Sequence, residues 1–151
     1  MKLSTKGRYG MVALADLALL NNSELASLSD VSRRQDISLP YLEQLFVKLR
    51  RSGLVVSVRG PNGGYRLARP ATEIRIVDIL KALDETMDAL HKRAGASGGV
   101  SGSRAQSVTN RLWEVMSAQV YVFLHQTRLS DVVENTLSPC PAVPNLFEVI
   151  D

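Results

Sequence analysis

The apolar residues change period at Gly53, and few folds accommodate that change within one short chain. Before it the spacing is helical. Tyr9, Val12, Ala13, Asp16, Leu17 and Leu20 recur every three or four residues, which predicts a helix over about 5–21, ended by Asn21-Asn22. Ser27 or Ser29 is placed to cap a short second helix, about 28–35, with Leu28 and Val31 turned inward. Asp36-Ile37-Ser38 reads as a tight turn. Ser38 offers its hydroxyl to a third helix, and Pro40 fits the first turn, where a missing N–H costs nothing. Leu42, Leu45, Phe46 and Leu49 form the apolar face of that helix, and Gly53 closes it.

After Gly53 the run Leu54-Val55-Val56-Ser57-Val58 is short and β-branched, so it reads as a strand. Gly60-Pro61-Asn62-Gly63-Gly64 is a turn by composition, and Tyr65-Arg66-Leu67 is the returning strand. A helical pattern resumes over about 74–85. The fold class that follows is mainly α with a small β-hairpin: a winged helix-turn-helix over residues 1–85. In this design the third helix enters the major groove of DNA and the hairpin tip reaches a neighbouring phosphate or minor groove.

A Gly/Ser-rich loop is expected over 86–107. A long helix follows over about 109–128. Glu114, Ala118, Tyr121, His125 and Arg128 form its polar line, while Leu112, Trp113, Val115, Met116, Val120, Val122, Phe123 and Leu124 cover nearly all the rest. So wide an apolar face predicts a homodimer through this C-terminal helix, with burial inside one chain as the alternative. Ser130 is placed to cap a last short helix, about 130–136, before an irregular tail over 137–151.

Composition narrows the function. The 151 residues suit one small domain with an added segment, and 45% apolar with 22% charged residues is a globular balance. Cys140 is the single cysteine, which excludes an internal disulfide and any four-cysteine zinc or iron–sulfur site within one chain. No apolar run approaches the length of a membrane span. The opening Met1-Lys2-Leu3-Ser4 carries no signal-peptide pattern, so the expected compartment is the cytoplasm. Residues 1–75 carry a net +6 and the remainder −3, so the first half is the part suited to a polyanion.

The third helix carries matching chemistry. Its outward residues are Ser38, Pro40, Tyr41, Glu43, Gln44 and Lys48. Gln44 suits bidentate pairing with adenine, and Glu43 can accept from cytosine and reject sites that lack one. Glu43 as a solvated charge paired with Arg50 or Lys48 is the plainer alternative. Ser38 and Tyr41 suit phosphate contacts. In the wing, Arg59 before Gly60 and Pro61 is placed for a narrow minor groove. The glycine-rich turn joins two strands and no Gly-Lys-Ser/Thr follows, so it is a poor nucleotide cradle.

Ser38-Leu39-Pro40-Tyr41-Leu42-Glu43-Gln44-Leu45-Phe46, Gly53-Leu54-Val55 and Ser57-Val58-Arg59-Gly60-Pro61-Asn62-Gly63-Gly64-Tyr65 resemble the IscR branch of the Rrf-type bacterial regulators. Leu3-Ser4-Thr5-Lys6-Gly7-Arg8-Tyr9 and Leu112-Trp113 resemble it too, so the likeness spans about 1–135. It implies a dimeric winged-helix regulator of iron–sulfur cluster assembly and iron homeostasis genes, with a 2Fe-2S cluster as sensor. It also implies double-stranded DNA as partner and DNA roles for Ser38, Tyr41, Glu43, Gln44, Arg59, Gly60 and Pro61, with Pro40, Lys48 and Tyr65 added from the residues beside them.

The sensor departs from the family pattern of three cysteines and a histidine before the long helix. Counted back from Trp113, those positions hold Gly95, Ser101, Ser107 and Asn110, none a standard cluster ligand. Either no cluster binds, or a different set holds it. That set would draw on Cys140, His91 and His125, with Asp84, Glu85 and Asp88 as acidic alternatives. Two further classes compete with a regulator. An enzyme lacks support, because no Ser-His-Asp or metal-ligand spacing occurs and the two histidines stand apart in the chain. A protein-binding winged-helix module with no cluster is the other.

Overall fold

The computed structural model describes residues 3–20, 24–85 and 103–138. Helices α1 (Thr5–Ala18), α2 (Leu28–Gln35) and α3 (Leu39–Arg51) precede an antiparallel hairpin of β1 (Val55–Val58) and β2 (Gly64–Leu67). A 3-10 turn at Ala71–Glu73 leads into α4 (Ile76–Ala82), followed by α5 (Arg104–Gln126) and α6 (Leu129–Val133). The expected winged helix-turn-helix with a long C-terminal helix is what the chain forms.

One apolar core holds α1, α3, α4 and the start of the hairpin together. Leu14, Leu42, Phe46, Leu49, Leu54, Ile79 and Leu83 are its largest fully buried side chains, with Ile74 and Leu129 beside them. Full burial of a Leu or Phe contributes about 1.5–3 kcal/mol, whereas an exposed ion pair is worth about 0–1. The four side chains Leu42, Leu45, Phe46 and Leu49 therefore fix the placement of α3, and a surface pair such as Arg33–Asp30 does not.

The junctions follow local chemistry. The Ser27 hydroxyl caps α2, accepting from the Asp30 N–H at 3.1 Å. Asp36 takes a left-handed conformation (φ 52°), one that Asp tolerates, and so turns the chain from α2 towards α3. Arg34 grips the buried Asp16 carboxylate through Nε at 3.1 Å and Nη2 at 3.0 Å, tying α2 to α1. At the end of α3, Gly53 is left-handed (φ 72°). The Gly53 N–H donates to Arg50 O and the Leu54 N–H to Leu49 O, the two bonds of a Schellman stop.

Several expected boundaries move. The Ser38 hydroxyl makes no cap bond to α3, whose start is set by Pro40 and the Leu42 N–H bond to Ser38 O. Helix α1 ends at Ala18. The helix expected over about 74–85 is confined to Ile76–Ala82. On its N-terminal side the Ile74 carbonyl accepts from the Leu129 N–H at 2.8 Å, and the Ile76 N–H donates to Thr127 O. These non-local bonds hold Arg75 extended opposite Arg128, a pairing that local periodicity does not encode. Helix α5 starts at Arg104, earlier than composition suggests, because Ser103 accepts from the Gln106 N–H and caps it. Ser130 does not cap α6. It is a buried residue within the helix, and Asp131 instead accepts from the Arg128 N–H at 2.8 Å.

Glu85 closes the opposite end of the core. Its carboxylate accepts from the Ser4 hydroxyl and from the Gly7 N–H at 3.0 Å, bonding the exposed donors of the α1 N-terminus. Burial works against its charge, but the Ser4 and Gly7 hydrogen bonds outweigh burial and hold its carboxyl below the usual glutamate range. A depressed folded pKa stabilises the fold above the ordinary glutamate value, and that stability is lost as pH falls through the folded value. Glu85→Gln is expected to lower the thermal midpoint at neutral pH and to flatten its decline between about pH 5 and 3. Melting curves across that range check it; parallel curves for both proteins would refute it.

Candidate nucleic-acid interface

The outward side of α3 presents Pro40, Glu43 and Gln44 to solvent, with Val47 38% exposed one turn on and Arg51 beyond it. Val47 was not singled out from the sequence because it reads as one more apolar helix residue. On this face it suits a thymine methyl group. Ser38 is exposed at the start of α3, with its hydroxyl unused by the helix. Tyr41 is half-buried, its ring edge-on to Tyr9 of α1 at 5.8 Å, so its hydroxyl is held by packing.

The wing is positioned through Tyr65. Its ring meets Phe46 of α3 edge-on at 4.9 Å, and its N–H and C=O both pair with Ala26. Tyr65 thus ties three segments together, and its ring faces inward. In the hairpin Val55 pairs with Leu67, Val56 with Arg66, Ser57 with Tyr65 and Val58 with Gly64. Arg59, Gly60, Pro61 and Asn62 form an exposed tip. Gly60 adopts φ 122°, a conformation open essentially to glycine. A Cβ at Gly63 would stand 2.1 Å from Val58 O, so the turn tolerates no side chain there. The Gly63 N–H closes it on Gly60 O at 2.9 Å.

Lys48 lies on the flank of α3, half-buried, in an ion pair with Asp84 at the end of α4. That pairing replaces the one considered between Lys48 and Glu43. The Lys48 hydrogen bond holds the Asp84 carboxyl below its usual range.

The metal-ligating residues do not assemble in the described part. His125 is exposed and stacked on Tyr121 at 5.9 Å. Tyr121, expected on a solvated line, lies beneath Lys81 of α4, whose Nζ is 5.3 Å from the ring centroid. Asp84 and Glu85 are engaged by Lys48 and the α1 N-terminus. Among the described residues no three His, Cys, Asp or Glu side chains gather to hold a metal. The described residues alone therefore do not fit a cluster. His91, Asp88 and Cys140 lie outside the described residues. No helix among the described residues is long and apolar enough to cross a membrane.

Residues 3–135 match the family Rrf2, described as iron-dependent transcriptional regulator. The chain belongs to this family. It is 72% identical to the HTH-type transcriptional regulator IscR of Cereibacter sphaeroides over 153 residues, covering 100% of this chain and 99% of that one. Among solved structures, IscR of T. potens superposes with a TM-score of 0.71 at 36% identity, covering 91% of this chain and 89% of that one. CymR, the global cysteine regulator of B. subtilis, superposes with a TM-score of 0.76 at 30% identity, covering 89% and 98%. The chain is thus a transcriptional regulator of the IscR type with a winged-helix DNA-binding fold.

Proposed function

We propose that the chain is a cytoplasmic, homodimeric repressor of iron–sulfur cluster assembly and iron homeostasis genes that reads a palindromic duplex. Residues 1–85 bind DNA, the segment before α5 serves the sensor, and the segment from α5 to residue 136 makes the dimer. The observation that carries the reading is the Phe46–Tyr65 contact, which holds an exposed polar helix face and an exposed Arg-Gly-Pro tip in one fixed relation. Gln44 and Glu43 read base edges, Ser38, Pro40, Tyr41 and Lys48 meet the backbone, and Arg59, Gly60 and Pro61 follow the minor groove. Tyr65 supports the wing from within, and its hydroxyl is the one side-chain group it has to offer DNA.

The DNA assignment is tested by titrating a duplex over a salt series. Arg59→Ala is expected to weaken binding broadly, and Gln44→Ala to relax preference at one base by about 1–3 kcal/mol. The logarithm of affinity is expected to fall with that of salt concentration with a slope of roughly −5 to −9. A flat salt response would exclude this mode of binding.

The dimer rests on α5, none of whose 23 residues is buried although Val108, Leu112, Trp113, Val115, Met116, Val122 and Phe123 lie on it. Met116→Asp combined with Val120→Asp is expected to yield monomer or unfolded chain in sedimentation, because unpaired charges in the seam cost several kcal/mol. A folded dimer of unchanged stability counts against the assignment.

For the sensor we propose a 2Fe-2S cluster held by Cys140 together with His91, His125 or a carboxylate, in one chain or across the dimer. Nitrogen or oxygen ligands raise the reduction potential relative to four thiolates. Protein purified without oxygen is expected to contain iron and acid-labile sulfide, and Cys140→Ser to lose both. Undiminished colour in the variant removes Cys140 from the ligand set, and a colourless parent after reconstitution removes the cluster.

A further inference from the structure

A carboxylate from beyond the basic half of the chain, Asp84, lies directly against the DNA-reading helix. The position of Asp84 is fixed from both sides. Ile79, Leu80 and Leu83 bury the preceding helix, and Glu85 binds the α1 N-terminus immediately after it. Asp84 itself takes the left-handed conformation (φ 57°), which ends α4 and leaves its carboxylate in solvent. Its partner is Lys48, one helical turn beyond Gln44 on the same flank of α3.

We propose that Asp84 is an affinity-setting residue that competes with the DNA backbone for Lys48. The proposal rests on the reading of α3 as the DNA-reading helix. Two features support an exchangeable pair in place of a structural one. The side chains are 38% exposed for Lys48 and 68% for Asp84, and an ion pair so open to water contributes about 0–1 kcal/mol to stability. A duplex offers a dense array of phosphates and releases condensed counterions when a lysine neutralises one. Lys48 therefore exchanges Asp84 for a phosphate on binding, and every duplex is bound less tightly than the count of basic residues on α3 alone would give. The removal acts on backbone affinity and leaves base preference at Gln44 and Glu43 unchanged.

The test is a double-mutant cycle on the full-length chain, read by fluorescence anisotropy with a mixed-sequence duplex of about 30 base pairs over a salt series. Asp84→Asn removes the charge and keeps a residue that accepts the left-handed backbone. Asp84→Gly, which suits that backbone still better, is measured in parallel as the control for folding. Both are expected to tighten binding by about threefold at low salt and to show a steeper salt slope, because salt screens the exposed Lys48–Asp84 pair of the parent and so erodes the advantage. In combination with Lys48→Gln, both changes are expected to vanish. Tightening that persists alongside Lys48→Gln would show a diffuse field effect of the lost charge and overturn the competition. Unchanged affinity and slope in both Asp84 variants would overturn it as well. Failure of the parent protein to bind any duplex would instead overturn the DNA reading, and the proposal with it.

Discussion

The contact between Phe46 and Tyr65 is the constraint on which the reading surface depends. Phe46 is fully buried, so its position is set by the whole core, and Tyr65 belongs to the returning strand of the wing. An edge-on aromatic pair adds about 0.5–1.5 kcal/mol beyond its buried area and is sensitive to ring orientation. It therefore does more than attach the wing: it fixes how β2 lies against α3. The backbone bonds between Tyr65 and Ala26 add a second fixed point from the segment before α2. A two-stranded hairpin is marginal alone in water. Here its base is held by core and backbone together, while Arg59, Gly60 and Pro61 at the tip remain in solvent.

The same logic explains which parts of the fold were legible in the sequence. Elements whose formation is decided locally were readable. The apolar period of α3, the Gly53 stop and the glycine-rich turn all stand in the chain as residue types with one structural use. The Ser27 cap was readable as one of two choices, and the structure selects it. What was not legible depended on distant partners. Ile74 and Arg75 lie in an apolar, helix-like stretch, yet residues 127–129 capture their backbone groups. Ser38 and Ser130 are both good cap residues by type, but neither hydroxyl takes that role, because Pro40 and Asp131 decide those helix starts. Tyr65 has a wing residue's position and a core residue's packing.

The candidate site divides in the same way. The exposure of Glu43 and Gln44 was readable because residue type and helix face coincide, and that of Arg59 because it stands at a glycine-rich turn. The role of Lys48 was only half visible, since its partner lies far along the chain, in a turn whose left-handed backbone is not specific to Asp. The sensor was the least legible part. Asp84 and Glu85 count as available carboxylates when read as a list, but in the fold Asp84 faces Lys48 and Glu85 is bonded to the α1 N-terminus. Ligand counting from sequence treats every carboxylate as free, whereas a fold assigns most of them first.

Helix α5 poses a different physical problem. At 1.5 Å per residue its 23 residues extend about 35 Å. It is tied to the domain through its C-terminal part, by Tyr121 under Lys81 and by Arg75 donating to the His125 carbonyl at 3.0 Å. The N-terminal part carries Val108, Leu112 and Trp113 in solvent. Most helical stability in proteins comes from packing an apolar face rather than from propensity. A helix of this composition is thus stable to the extent that something covers it. Under the dimer reading the same seam that completes the core of α5 also sets the spacing of the two reading helices. Subunit association and operator geometry then share one set of side chains. In that reading, binding the first half-site makes the second intramolecular, so affinity for a palindrome would depend on α5 as well as on the reading helices. Selectivity in that reading is geometric: a duplex with correct half-sites at the wrong separation would be rejected by the length and stiffness of the helix, independently of Gln44, Glu43 or the wing.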